Sequence, residues 1–152
     1  MRMAVNDINI LVVDAQGGKI GRQIVSAVKE TVPKAVLTAV GTNGIATSAM
    51  LKAGADQGAT GENAVVVGCR NADVIIGPIG IVIADAMLGE ITPAMALAVG
   101  QSQARKILIP INQCNNFVAG VAAQSLSKLV QEAVALIEPS DKQESSAGND
   151  SI

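Results

Sequence analysis

Apolar positions follow two rhythms along this chain. Ile8 to Val13 is a run rich in Ile and Val that ends at Asp14 and a Gly cluster, the mark of a buried strand. Ile20, Ile24, Ala27 and Val28 then recur at i, i+4, i+7 and i+8, which predicts a helix that Pro33 closes. Ala35 to Val40 reads as a second strand, followed by Gly41-Thr42-Asn43-Gly44 and a helix over 45–53 with Gly54 as its stop. A Gly-rich connection occupies 54–61. The next piece, Glu62 to Arg70, is ambiguous: Val65, Val66 and Val67 favour a strand by propensity, but Asp73 to Ile76 is the better strand and needs a crossover before it, so 62–70 is assigned as helix. After Gly77-Pro78-Ile79-Gly80, Thr92 and Pro93 supply an N-cap and a first-turn proline for a helix to about Gln103. Lys106 to Ile109 is a further strand. Leu126, Leu129, Val130, Ala133, Val134 and Ile137 make an amphipathic helix that Pro139 ends.

Strands and helices therefore alternate, and the strands are apolar throughout. That pattern predicts an α/β protein: a three-layer αβα Rossmann-like fold with a mostly parallel sheet of four or five strands, covered on both faces. Residues 1–138 are expected to form a single domain. The stretch 139–152, polar and rich in Gly and Ser, is expected to be a disordered tail.

Composition narrows the chemistry. Of 152 residues 49% are hydrophobic and 16% charged, with no His, Trp or Tyr and one Phe, Phe117. Lacking His, the chain has no Ser-His-Asp or Cys-His pair and no imidazole general base or metal ligand. Cys69 and Cys114 alone cannot build a Cys-rich zinc or iron–sulfur site, so no metal site is assigned and the cofactor is left open. A single aromatic argues against base-stacking platforms. The formal charge of −2 lies in the last 14 residues, where three acids face one base, while 1–138 holds ten of each. No basic stripe is left for a phosphate backbone, which argues against nucleic-acid binding. The apolar run Val74 to Met87 is broken by Gly77, Pro78, Gly80 and Asp85, so no membrane span is expected. An N-terminus without a signal-peptide core and two thiols expected to be reduced and mostly buried point to the cytoplasm. A mean hydropathy of +0.42 points to a homo-oligomer that covers part of its surface.

Each strand leads into a loop of Gly and small polar residues, and in a parallel sheet such loops meet at the carboxyl edge, where ligands bind. Glycine lets backbone N–H groups approach a ligand, and a following helix offers its positive end, which suits phosphate or carboxylate. Gln16-Gly17-Gly18-Lys19-Ile20-Gly21 resembles the dinucleotide fingerprint with Gln in place of the first Gly. Its usual acidic companion at the end of the second strand is missing, since Val40-Gly41-Thr42 stands there. The candidate ligand-binding set is Gln16, Gly17, Gly18, Lys19, Gly21, Gly41, Thr42, Asn43, Gly44, Gly77, Gly80 and Asn112; the bland alternative is that the glycines serve tight turns. Asp14 and Asp56 are the candidate catalytic acids, each alternatively a capping or solvated residue. Glu62 and Glu90 lie in or beside the central and later loops. Thr47 and Ser48 offer hydroxyls that equally suit helix capping. Cys114 reads as a plain thiol before a nucleophile, for want of a His partner.

Two resemblances follow from longer stretches. Residues 41–63 (from Gly41-Thr-Asn to Gly61-Glu-Asn63), with Asp73-Val-Ile-Ile-Gly-Pro-Ile-Gly80, Ile109-Pro-Ile-Asn112 and the opening Asp14-Ala-Gln-Gly-Gly18, resemble a bacterial family known only as a domain of unknown function. That family has Gly where this chain has Ala15, so this turn is expected to accept a Cβ. The Gly41–Gly44 loop and Gly54-Ala-Asp-Gln-Gly-Ala59 are similar to methylglyoxal synthase-like domains, although the Trp-Asp-Pro and His-Asp-Pro elements of that enzyme have no match. That second resemblance implies that Thr42 and Gly44 hold phosphate and that Asp56 is a base. The reading preferred is a protein that binds a phosphorylated small molecule or nucleotide. The alternatives are a lyase or hydrolase using Asp14 or Asp56 on a phosphorylated metabolite, and a scaffold or regulatory subunit.

Overall fold

The structure, a computed structural model, describes residues 7–111 and 115–137. Its elements in chain order are β1 (Asn9–Asp14), α1 (Lys19–Thr31), β2 (Val36–Gly41), α2 (Gly44–Lys52), β3 (Gln57–Thr60), α3 (Glu62–Asn71), β4 (Val74–Pro78), a short 3-10 turn (Ile79–Val82), α4 (Pro93–Gln101), β5 (Arg105–Ile109) and α5 (Leu126–Ala135). All ladders are parallel, and the strand order is β3-β2-β1-β4-β5.

The two-residue repeat of the strands sorts their side chains onto two cores. Ile10, Val12, Leu37, Ala39, Ile76 and Ile107 pack on one face against Ile24, Val25 and Val28 of α1, Met50 of α2, and Leu129, Val130 and Val134 of α5. Leu11, Val13, Val40 and Ile75 pack on the other against Val65 and Cys69 of α3 and Met95 and Val99 of α4. Helices α1, α2 and α5 thus form one layer and α3 and α4 the other, giving a three-layer Rossmann-like fold. Each fully buried Val, Leu or Ile contributes roughly 1.5–3 kcal/mol through its apolar surface.

Local signals account for the helix ends. The Asn43 side chain accepts from the Ala46 N–H at the start of α2, and Thr92 accepts from Met95 at the start of α4, with Pro93 in its first turn. The ambiguous valines of 62–70 lie in α3, because the crossover from β3 back to β4 requires a helix there. The helix after Pro93 ends at Gln101, two residues short of its expected end. One element was not expected: Gln57–Thr60, within the Gly-rich connection, is an edge strand paired with β2. Asn112, Cys114 and the tail from 138 lie outside the described residues. No helix among the described residues is long and apolar enough to cross a membrane.

Candidate functional site

The strand order reverses at β1. From it the chain builds outward through β2 to β3, then returns to place β4 on the other side. Loops leaving β1 and β4 therefore part at the carboxyl edge, the place where parallel α/β sheets hold ligands.

Asp14 closes β1. It is 3% exposed, and both its carboxylate oxygens are engaged by the turn: Oδ1 accepts from the Ala15 N–H at 2.8 Å and Oδ2 from the Gly21 N–H at 2.7 Å. Burial raises its pKa; the two backbone donors offset part of that, and the Glu90 charge adds to the rise. Asp14 thus braces the β1–α1 turn. Gly21 has to be glycine, because a Cβ would meet Met50 Sδ at 2.5 Å and Asp14 Cβ at 2.8 Å. Gly18 turns with φ +72° and packs on the Ala46 backbone, while Gly17 is exposed, and a Cβ added there would meet nothing within 4 Å. Ala15 is buried and carries its Cβ without a left-handed backbone, as expected of this turn. Gln16, where the dinucleotide fingerprint has glycine, adopts φ +53°, a conformation that costs a non-glycine residue about 1–2 kcal/mol.

What holds Gln16 there is the centre of the site. Its carbonyl accepts from Asn43 Nδ2 at 2.9 Å, and its N–H donates to Glu90 Oε1 at 3.0 Å. The same Glu90 oxygen accepts from Thr42 Oγ1 at 2.7 Å and from Asn43 Nδ2 at 2.8 Å. Burial pushes the Glu90 pKa up, but the bonds from Gln16, Thr42 and Asn43 outweigh it and hold the carboxyl below its usual range. Donors from the ends of β1 and β2 thus converge on one anionic oxygen delivered by the segment between β4 and α4. Lys19 and Arg22 stand exposed on α1 nearby, and a cleft of about 630 Å³ lined by Arg22, Gly44, Ile45, Ser48 and Lys52 adjoins the α2 end.

The remaining sequence candidates divide clearly. Gly41 is buried, and a Cβ there would stand 2.6 Å from Thr47 N. Gly77 abuts the Val13 carbonyl, and a Cβ at Gly80 would stand 2.7 Å from Met87 Cε, so these glycines serve close packing. Thr47 is buried, accepting from Gly41 N–H and bonding the Thr60 hydroxyl at 2.7 Å, which stitches β2, β3 and α2 together. Thr42, Asn43 and Gly44 reach the edge, and Glu62 Oε1 accepts from Thr92 Oγ1 there at 2.6 Å.

Asp56 is elsewhere. It precedes β3, receives the Leu37 N–H at 2.8 Å and pairs with Lys29 at 2.6 Å, at the amino edge of the sheet. Leu37 and Thr42 lie five residues apart along β2, a span of about 17 Å at the usual strand rise. The expected partnership of Asp56 with Thr42 and Gly44 is therefore corrected: the structure puts them at opposite edges. Cys69 is buried, and desolvation raises its thiol pKa to about 11, as befits an inert core thiol.

A parallel sheet that reverses at β1, with a carboxyl edge lined by glycine turns and hydrogen-bond donors, defines a Rossmann-like α/β domain with a candidate anion site. The chain belongs to the family described as "Domain of unknown function (DUF3842)", whose model matches residues 9–142. No curated protein and no solved structure matches it.

Proposed function

We propose that this protein binds a phosphorylated small molecule or nucleotide at the carboxyl edge of its sheet, with the phosphate against the Gln16–Lys19 turn and the amino end of α1. The observation that carries this reading is the convergence of the Gln16 N–H, the Thr42 hydroxyl and the Asn43 amide on a single carboxylate oxygen. Donors from two strand ends that hold one anionic oxygen are a ready acceptor site for another. The 13-residue α1 adds its positive end, and Lys19 and Arg22 add exposed cationic charge one turn apart. The Gly17 and Lys19 N–H groups donate to nothing among the described residues.

Isothermal titration with inorganic phosphate, pyrophosphate and ATP tests the reading. Binding of at least one is expected, with loss of roughly tenfold or more in Gly17→Val, whose branched side chain stands where the ligand approaches while open space around Gly17 lets the variant fold. No binding, or binding that Gly17→Val leaves unchanged, would overturn it.

A further inference from the structure

The segment between β4 and α4 carries Glu90 into the donor cluster, and its geometry points to a second role: Glu90 is an internal competitor for the anion site, one that a phosphate displaces and a simple carboxylate ligand does not. This rests on the anion-binding reading above and adds the means by which the site selects its ligand.

Three observations support it. Glu90 Oε1 takes the Gln16 N–H, the Thr42 hydroxyl and the Asn43 amide, at 2.7–3.0 Å, so an incoming anion that is to use these three donors needs the place that the carboxylate holds. The carboxylate is held by neutral donors alone, since no Lys or Arg pairs with it among the described residues. An anion with the same donors and access to Lys19 therefore has more to gain at the site than Glu90 does.

The third observation is the backbone that delivers Glu90. Asp85, Met87 and Leu88 have φ of 65°, 56° and 59°, and Gly89 follows at 88°. Three consecutive left-handed residues, two of them not glycine, are costly for L-amino acids. The Leu88 side chain, 98% exposed, gains no packing in return. The turn is held by backbone bonds, from the Asp85 N–H to the Ile91 carbonyl at 2.7 Å, from Gly89 to Asp85, from Glu90 to Met87 and from Ile91 to Ala86, by Met87 packed over Gly80, and by the Glu90 side-chain bonds. When Glu90 leaves, the side-chain restraint on this strained turn goes while its backbone bonds remain, which lowers the cost of displacement.

Selectivity follows from tethering. A carboxylate attached to the same chain competes at an effective concentration on the order of millimolar or more. A free monocarboxylate offers the same charge to the same donors and gains nothing by exchange. A phosphate brings further oxygens and up to two charges. One oxygen takes the place of Glu90 Oε1 while the others reach the Gly17 and Lys19 N–H groups and the Lys19 ammonium.

The experiment compares wild type, Glu90→Gln and Glu90→Ala, titrated with inorganic phosphate and with acetate. Folding is checked by urea unfolding, and the Gln16 amide resonance is followed by NMR. If Glu90 is seated at least about nine-tenths of the time, Glu90→Ala tightens phosphate binding about tenfold or more. It also admits acetate, which the wild type rejects, and the Gln16 amide, shifted in the free variant, returns towards its wild-type position when phosphate binds. The near-isosteric Glu90→Gln, which keeps an acceptor without the charge, shows the same direction and carries the test if Glu90→Ala does not fold. Phosphate affinity equal to or weaker than wild type in both variants overturns the competitor role and leaves the anion site standing. No phosphate binding by any of the three overturns both.

Discussion

Asp14 and Asp56 show how far a single residue can be read before the fold is known. Both are acids beside glycine-rich turns, and both end as backbone braces: Asp14 on Ala15 and Gly21, Asp56 on Leu37. An Asp that holds two N–H groups is poorly replaced by Asn, whose amide turns a donor towards one of them. Asp14→Asn is expected to lose about 1–3 kcal/mol of stability at pH 7, measured by urea unfolding. A loss near zero would show that the turn closes without the charge. Glu90 was legible only as one acid among several near the later loops. Its place on Thr42 and Asn43 depends on a run of left-handed residues that Met87 and Leu88 do not announce, since neither favours that conformation. An acid does stand beside the end of β2, delivered by a residue 48 positions beyond Thr42.

Among the elements, helices with a clear apolar stripe and strands buried on both faces were legible, because burial writes the pattern that sequence reading detects. β3 was not. All four of its residues are exposed, and it is a strand only because its backbone completes a ladder with β2. That omission also misplaced Asp56: without β3 there was no way to tell which edge of the sheet its preceding residue would reach. The segment 83–91 is the converse case, a connection whose shape matters more than its sequence shows. Leu88→Gly removes a left-handed leucine that packs on nothing. Relief of about 1–2 kcal/mol against a glycine entropy cost of about 0.5–1 predicts a net gain of roughly 0–1.5 kcal/mol, read as a higher urea midpoint. A lower midpoint would mean that the leucine side chain is used after all.

For the molecule as a whole, the shifted carboxyls Glu90, Asp56 and Asp14 shape the response to acid. Glu90 and Asp56 have lowered pKa values, so their contributions are complete above the unfolded values of 4.5 and 3.8 and are lost as pH falls through the folded ones. Asp14 is raised, so its contribution runs the other way, present below 3.8 and lost as pH rises through its folded pKa. Urea midpoints taken from pH 7 downward should therefore rise as Asp14 protonates and then fall once Glu90 and Asp56 do. Glu90→Gln should flatten that fall; an unchanged slope would mean that the Glu90 bonds add nothing to stability. The strand order has a consequence for how the molecule is made. The central strand is flanked by β2, close behind it in sequence, and by β4, whose neighbour Asp73 meets Asn9 across 64 residues. During synthesis β1, α1 and β2 can associate early, but the second side of β1 waits for that distant segment, and closing so long a loop slows the step. The turn after β1 is therefore shaped early and clasped by Glu90 late, so the candidate site is completed only after the chain has passed residue 90.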